Sequence, residues 1–228
     1  MTGDPEPRPE RGYRDGVRSV APLAIAVFAF GVAFGVLARG TGMGPVAPVV
    51  MSLTTFAGSA QFAAVTVLAS GGSAATAILA AALLNTRYVP IGVTVAPFMR
   101  GSVYSRLMHA QLIVDESWAI SAEGDGRWNP RVLLGAGTGI YVAWVGGTAI
   151  GVVFGDLIGD PNRLGLDAAF PALFLALLAP QVRNRVSVAA ALLGAAIALA
   201  LTPFTPAGVP IVAASAACVV GVVARDRG

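Results

Sequence analysis

Apolar and charged residues are segregated along this chain into long blocks. Uncharged stretches cover residues 19–38, 40–86, 132–155, 168–182 and 186–224, with the charges clustered between them. A helix needs about 20 apolar residues to cross a hydrocarbon core about 30 Å thick, and lipid offers no partner for an exposed peptide group. Several such blocks in one chain predict an all-α, polytopic integral membrane protein with six to eight hydrophobic helices, some discontinuous or re-entrant. A soluble helical protein is excluded because no polar face is left to meet water.

The predicted segments are Ser19–Ala38, Val46–Ser70, Ser73–Ala96, Val132–Phe154, Ala168–Gln181, Val186–Leu201 and Val209–Ala224, with a shorter, amphipathic and charged one at Ser105–Ala122. Gly71-Gly72 divides the second from the third. Pro203, Pro206 and Pro210 interrupt the last block, since proline stops helices. Whether 46–70 and 105–122 cross or re-enter stays open. Residues 1–18 read as a disordered cytoplasmic tail, 19–224 as the transmembrane domain and 225–228 as a second cytoplasmic tail. The first helix is long, is followed at once by Arg39 and lacks a small-residue cleavage site, so it reads as a retained anchor.

Arginine sets the expected orientation. Arg8, Arg11, Arg14 and Arg18 place the N-terminus inside, as do Arg225 and Arg227 the C-terminus. Arg127 and Arg131, then Arg183 and Arg185, mark cytoplasmic loops, and the acidic loop Asp156–Asp167 falls outside. These assignments require an even number of crossings between residues 19 and 131. A weak repeat accompanies them: Phe30-Gly31-Val32-Ala33-Phe34-Gly35 resembles Ile150-Gly151-Val152-Val153-Phe154-Gly155, offset by 120 residues, and Gln61 aligns with Gln181 at the same offset.

Composition narrows the chemistry. Charged residues make up 12% of the chain, half the usual share of about 25%. All 15 basic residues are arginine, so there is no P-loop lysine and no Schiff-base lysine. One histidine and one cysteine build neither a Cys/His zinc site nor an internal disulfide. No metal and no cofactor is expected. The net charge of +3 comes without a basic patch interleaved with aromatics, so nucleic acid is not an expected partner.

Three polar clusters interrupt the apolar blocks. The first is Phe56-Ala57-Gly58-Ser59-Ala60-Gln61-Phe62, where Gly58, Ser59 and Gln61 fall mid-segment. It reads either as a broken helix whose free backbone groups hold a polar ligand, or as tight packing with Gln61 bonded to a neighbour. The second is Asn85-Thr86-Arg87-Tyr88. Arg87 can clamp a carboxylate through its planar guanidinium, or anchor the helix at the interface beside Tyr88. The third is Asp115-Glu116 with apolar neighbours on both sides. Desolvation and mutual repulsion raise a carboxyl pKa, which suits a proton carrier, though headgroup-level charges explain the pair as well. On one continuous helix His109 and Glu116 share a face, as do Gln111 and Asp115.

These residues together resemble the AzlC family, the large subunit of bacterial branched-chain amino-acid exporters. The resemblance runs from about Arg14 to Ala224. It rests on Phe30-Gly31-x-x-Phe34-Gly35, Phe56-Ala57-Gly58-Ser59-Ala60-Gln61-Phe62, Leu84-Asn85-x-Arg87 and Asp115-Glu116-x-Trp118-Ala119. One departure is Tyr88, where the family often has histidine after the arginine; it shifts weight to Asp115, Glu116 and His109 as proton carriers. Trp118 stands where phenylalanine is common. The resemblance implies a secondary transporter, not an enzyme, in the bacterial plasma membrane. It implies export of Leu, Ile and Val, and at its widest Met, driven by an ion gradient, with a small AzlD-type membrane subunit as partner. No ATPase is indicated.

On this reading Gly58, Ser59, Gln61, Asn85, Arg87 and Tyr88 bind substrate, and Asp115, Glu116 and His109 couple transport to protons. Three rivals remain: a transporter or channel for another small solute, an intramembrane enzyme built on Ser59 and His109, and an assembly subunit without a site of its own.

Overall fold

The computed structural model describes residues 11–124, 126–158, 175, 182, 184–205 and 209–218. The predicted segment Ala168–Gln181 apart from residue 175, the loop carrying Asp160 and Asp167, Arg183, residues 1–10 of the N-terminal tail and the C-terminal tail lie outside them. The described chain is mostly helical: α1 (Tyr13–Gly40), α2 (Val46–Thr54), α3 (Gly58–Ala69), α4 (Ala74–Asn85), α5 (Tyr88–Val95), a 3-10 turn (Ala96–Phe98), α6 (Val103–Ala110), α7 (Asp115–Ser121), α8 (Pro130–Ile158), α9 (Arg185–Leu201) and α10 (Val209–Ala214). A two-stranded hairpin, Ala122–Gly124 with Arg127–Trp128, precedes α8. It is an addition to the all-α expectation, turned by Gly124 and Gly126 at positive φ.

Among the described residues two helices, Tyr13–Gly40 and Pro130–Gly155, are long and apolar enough to cross a membrane. A third span exists if α4 and the helical stretch Tyr88–Phe98 are one broken crossing. The other described apolar helices are shorter. Twelve residues of α3 or α4 reach about 18 Å at 1.5 Å per residue, well under the hydrocarbon thickness. Three of the predicted segments are broken. Val46–Ser70 divides at Phe56, and Ser73–Ala96 divides at Thr86–Arg87. Ser105–Ala122 becomes α6 and α7, with residues 111–114 non-helical. The shared helical face of His109 and Glu116 therefore does not exist. α1 begins at Tyr13, inside the stretch assigned to the tail, because Asp15 accepts from the Gly12 N–H at 2.7 Å and caps its start.

The chain divides into two compact units, residues 1–32 with 87–147, and 33–86 with 148–228. In the first unit, the early part of α1 packs parallel to the early part of α8 at backbone distance. A methyl on Gly16 would overlap the Val132 carbonyl, one on Gly135 the Tyr13 carbonyl, and one on Gly147 the Phe28 carbonyl. Gly137 likewise meets the Leu112 carbonyl, just before α7. Asn129 ties the start of α8 down: Oδ1 accepts from the Arg131 and Val132 N–H groups, and Nδ2 donates to Glu123 and to the Arg11 carbonyl. Trp118 stacks on Trp128 at 5.6 Å, and Phe98 lies 6.0 Å from Trp128.

In the second unit, the late parts of the same two helices repeat this contact. A methyl on Gly35 would overlap the Thr148 carbonyl and stand 2.7 Å from the Val152 nitrogen. α3 and α4 form an antiparallel hairpin packed through Ala64, Val67, Ala77 and Ala80. Small side chains let these helices approach closely, as helices in lipid require. Ser73 caps α4 by accepting from the Thr76 N–H. Phe34 meets Phe62 edge-on at 5.6 Å, and α9 packs on α10.

Gly146 and Gly147 separate the seam from its surroundings. Nothing lies within 4 Å of a methyl placed on Gly146, while one on Gly147 collides with α1 backbone. Gly146→Ala should leave the melting temperature of the purified chain in detergent unchanged or raise it, since alanine is favoured in a helix by about 1 kcal/mol. Gly147→Ala should lower stability by about 1–3 kcal/mol or more, because backbone cannot move aside as a side chain can. Equal melting of the two variants would show that the close contact is absent.

Candidate functional site

The predicted site residues fall into two clusters, one in each unit, apart from His109. The first is built around the break between α2 and α3. Phe56 has φ of 42°, a conformation that costs a bulky L-residue about 1–3 kcal/mol. Its side chain is buried, at 5% exposure, so apolar packing holds the residue in place. Gln61 stitches the break. Its Oε1 accepts from the Ala57 N–H at 3.2 Å, and its Nε2 donates to Ser52 Oγ at 2.9 Å. Ser52 is in turn bonded to Thr148 at 2.9 Å. Ser52, Gln61 and Thr148 are all fully buried. Gln61 is thus committed at both polar ends to protein groups.

Three other polar atoms in this unit are buried without a partner among the described residues: Ser59 Oγ, Asn85 Oδ1 and, further along α3, Thr66 Oγ1. Ser59 opens α3 and Asn85 closes α4, so the antiparallel hairpin brings both to the same end. α3 has no side-chain cap, and the first N–H groups of any α-helix lack intrahelical partners. Gly58, partly buried at the first position of α3, keeps that end free of a side chain. A buried polar atom left unpaired costs about 1–3 kcal/mol. The end of the hairpin therefore offers the Ser59 hydroxyl and the Asn85 carbonyl oxygen, which the described residues leave unsatisfied.

The second cluster joins the start of α5 to the start of α7. Arg87 Nη1 lies 3.0 Å from Asp115 Oδ2. Arg87 Nη2 donates to the Tyr88 hydroxyl at 3.1 Å, and the guanidinium carbon sits 5.0 Å from the Tyr88 ring centre. Trp118 Nε1 donates to Thr94 Oγ1 at 2.9 Å, which fixes α7 against α5. Ser117 Oγ accepts from the Val114 N–H and anchors the turn into α7. The pair is about 40% exposed on both sides, so it adds about 1 kcal/mol or less to stability. Asp115 neutralises Arg87 and leaves Glu116 as the surplus carboxylate. α7 belongs to no helix long enough to span. The Glu116 carboxyl is held above the ordinary carboxylate range, first by removal from water and further by Asp115, with its own backbone N–H and Arg87 opposing.

His109 is not brought to these carboxylates. It stands in the last turn of α6 and lines a cavity with Arg100 and Arg131. Ser59 Oγ has no hydrogen-bonded base among the described residues, and no group of three His, Cys, Asp or Glu there could hold a metal ion. Sequence reasoning passed over Ser52, Thr148 and Thr94. Each is a lone hydroxyl in an apolar helix, a signal that was present but shared with many structural residues.

Residues 22–158 match the model of the AzlC protein family. An uncharacterized membrane protein of Archaeoglobus fulgidus is 36% identical over 90% of this chain and 91% of its own. The inner membrane protein YgaZ of Escherichia coli is 29% identical, covering 84% of each chain. The branched-chain amino acid transport protein AzlC of Bacillus subtilis is 29% identical over 72% of this chain and 67% of its own. No solved structure matches the chain.

The two kinds of buried polar group predict opposite responses to substitution. Gln61→Leu strands the Ala57 N–H and should lower the unfolding free energy by about 1–3 kcal/mol. Asn85→Leu and Ser59→Ala remove atoms that have no partner and should leave stability unchanged or raise it. Thermal melts of the three purified variants in one detergent make the comparison. A large loss of stability in Asn85→Leu would mean that Oδ1 is satisfied after all.

Proposed function

The chain belongs to the AzlC protein family, and from that premise we propose that it is the large subunit of a secondary transporter that exports Leu, Ile and Val, and at its widest Met, across the bacterial plasma membrane. The observation that carries this reading is the pair of unpartnered buried polar atoms, Ser59 Oγ and Asn85 Oδ1, at one end of a hairpin beside a broken helix. An α-amino acid presents a carboxylate and an ammonium. The first-turn N–H groups of α3, with Ser59, suit the carboxylate, because helix N-termini favour anions. Asn85 Oδ1 is an acceptor suited to the ammonium. Gly58 leaves room for close approach, and Gln61 holds the break open rather than touching substrate. An aliphatic substrate side chain finds apolar neighbours in every direction in such a segment.

Arg87 and Tyr88 move on this reading from substrate binding to coupling. Arg87 pins the charge of Asp115, and Glu116 is the carboxyl that takes and releases the proton. The raised proton affinity of Glu116 supports that division. A small AzlD-type subunit completes the transporter. α9 supports a lipid or protein neighbour, since it buries none of its residues and exposes Leu192, Leu193 and Leu199. N- and C-termini lie in the cytoplasm, following the arginine distribution.

Proteoliposomes holding this chain and its small partner, loaded with labelled leucine under an imposed pH gradient, test the function. Gradient-dependent flux and counterflow with branched-chain amino acids are expected. A gradient effect without counterflow would indicate a channel, and no flux of any branched-chain amino acid would overturn the substrate assignment. Ser59→Ala and Asn85→Leu should each raise the half-saturating leucine concentration about tenfold, the worth of one buried hydrogen bond to a charged group.

For coupling, Glu116→Gln should abolish the response to the pH gradient while leucine counterflow persists. Asp115→Asn should weaken both. Full proton-driven flux in Glu116→Gln would move the proton to another group.

A further inference from the structure

We infer that the cavity between the turn after α5 and the start of α8 binds a phosphate-bearing anionic group, in the first instance the headgroup of an anionic phospholipid. It has a volume of about 440 Å³ and is lined on its polar side by Arg100, His109 and Arg131. Phe98, Met99 and Leu134 form much of its apolar wall. None of its lining residues is acidic. Arg87 has its carboxylate, but neither Arg100 nor Arg131 has an ion-pair or hydrogen-bond partner for its guanidinium among the described residues. Glu123, on the strand before α8, is bonded to the Asn129 side chain instead.

The turn that presents Arg100 is built rather than incidental. Gly101 has φ of 116°, and a methyl there would meet the Ser105 side chain at 3.1 Å. Ser102 caps α6 by accepting from the Ser105 N–H. Arg131 is held from the other side, where Asn129 Oδ1 takes the N–H groups of Arg131 and Val132. Two guanidinium groups and an imidazole line one opening, with the backbone that presents each arginine set by these bonds, and guanidinium forks match phosphate oxygens.

The same inventory argues against the transported amino acid as occupant. A zwitterion is best held by a carboxylate beside its ammonium, and this cavity has two arginines and no acidic lining residue. A phospholipid satisfies both surfaces: its phosphate meets the arginines, and its glycerol and upper acyl chain meet Phe98, Met99 and Leu134. Basic pockets between membrane helices commonly take such headgroups. A soluble phosphate compound shares the anionic chemistry but leaves the apolar wall empty. The inference is independent of which solute is transported.

The test uses the full chain, purified and exchanged into nanodiscs of phosphatidylcholine doped with phosphatidylglycerol, followed by native mass spectrometry of retained lipid. Wild type should retain phosphatidylglycerol over phosphatidylcholine. Arg100→Gln with Arg131→Gln should reduce that preference about thirtyfold, the combined effect of two basic residues beside an anionic headgroup. Arg100→Lys with Arg131→Lys should recover part of it and guards against misfolding of the first variant.

Inorganic phosphate is the second probe. If millimolar phosphate displaces phosphatidylglycerol and stabilises the chain through the same two arginines, the occupant is a soluble phosphate. Absence of displacement identifies the lipid. Equal retention of the two lipids by wild type, or an unchanged preference in the double glutamine variant, overturns the proposal.

Discussion

Everything described here hangs on the approach of α1 to α8 to the distance at which backbone touches backbone. In lipid there is no hydrophobic drive to bring two apolar helices together, so association depends on close packing. Glycine removes the Cβ that would hold the axes apart. At Gly16, Gly135 and Gly147 in one unit, and at Gly35 in the other, even a methyl would collide with a carbonyl of the facing helix. The same helix pair thus supplies the frame of both units, and the short elements are fastened to it. The turn before α7 lies against Gly137 through Leu112. Thr148, at the second part of α8, receives the Ser52 hydroxyl that Gln61 holds in turn.

A frame that tight lets the intervening chain break. Each break exposes peptide groups that hydrocarbon cannot satisfy, so the handling of those groups separates scaffold from site. At Phe56 the N–H of Ala57 is capped by Gln61, and Gln61, Ser52 and Thr148 are joined in one buried chain of hydrogen bonds. Ser59, close by in sequence, and Asn85, at the end of α4, leave polar atoms without partners among the described residues. A network completed for Gln61 and left incomplete for Ser59 is not what stability alone would select, since an apolar side chain at either unsatisfied position removes the cost. The incomplete atoms are the ones that gain from a ligand.

The long elements were legible because lipid imposes one rule on every residue of a span. Charge gaps placed α8 and α9 to within a few residues, and α1 apart from its capped start. The breaks were less legible. Hydropathy registers burial but not chain direction, so Val46–Ser70 and Ser73–Ala96 each read as one element. The motif Phe56–Phe62 did suggest a break, yet locating it depends on which carbonyl and amide Gln61 can reach, a three-dimensional matter. Asp115 and Glu116 were recognisable from their apolar surroundings. Their pairing with Arg87, and the separation of His109 from them, depended on the turn at 111–114, where no glycine or proline announces a stop.

The direction of the two long helices carries a consequence for topology. Val20 meets Gly139 and Phe28 meets Gly147 in the first unit, and Val36 meets Gly155 in the second, each partner 119 residues further on. Contacts that advance together along both chains mean that α1 and α8 run parallel. If both helices cross the bilayer, they start on the same side of it, and the chain from α1 to the start of α8 then crosses an even number of times. That parity is the one the arginine clusters demand by a separate argument, from charge rather than packing. The offset of the packing also stands within one residue of the offset at which Phe30–Gly35 resembles Ile150–Gly155. Helices related by an in-plane axis would run antiparallel. The parallel pair therefore favours, for any internal repeat in this chain, an axis along the membrane normal.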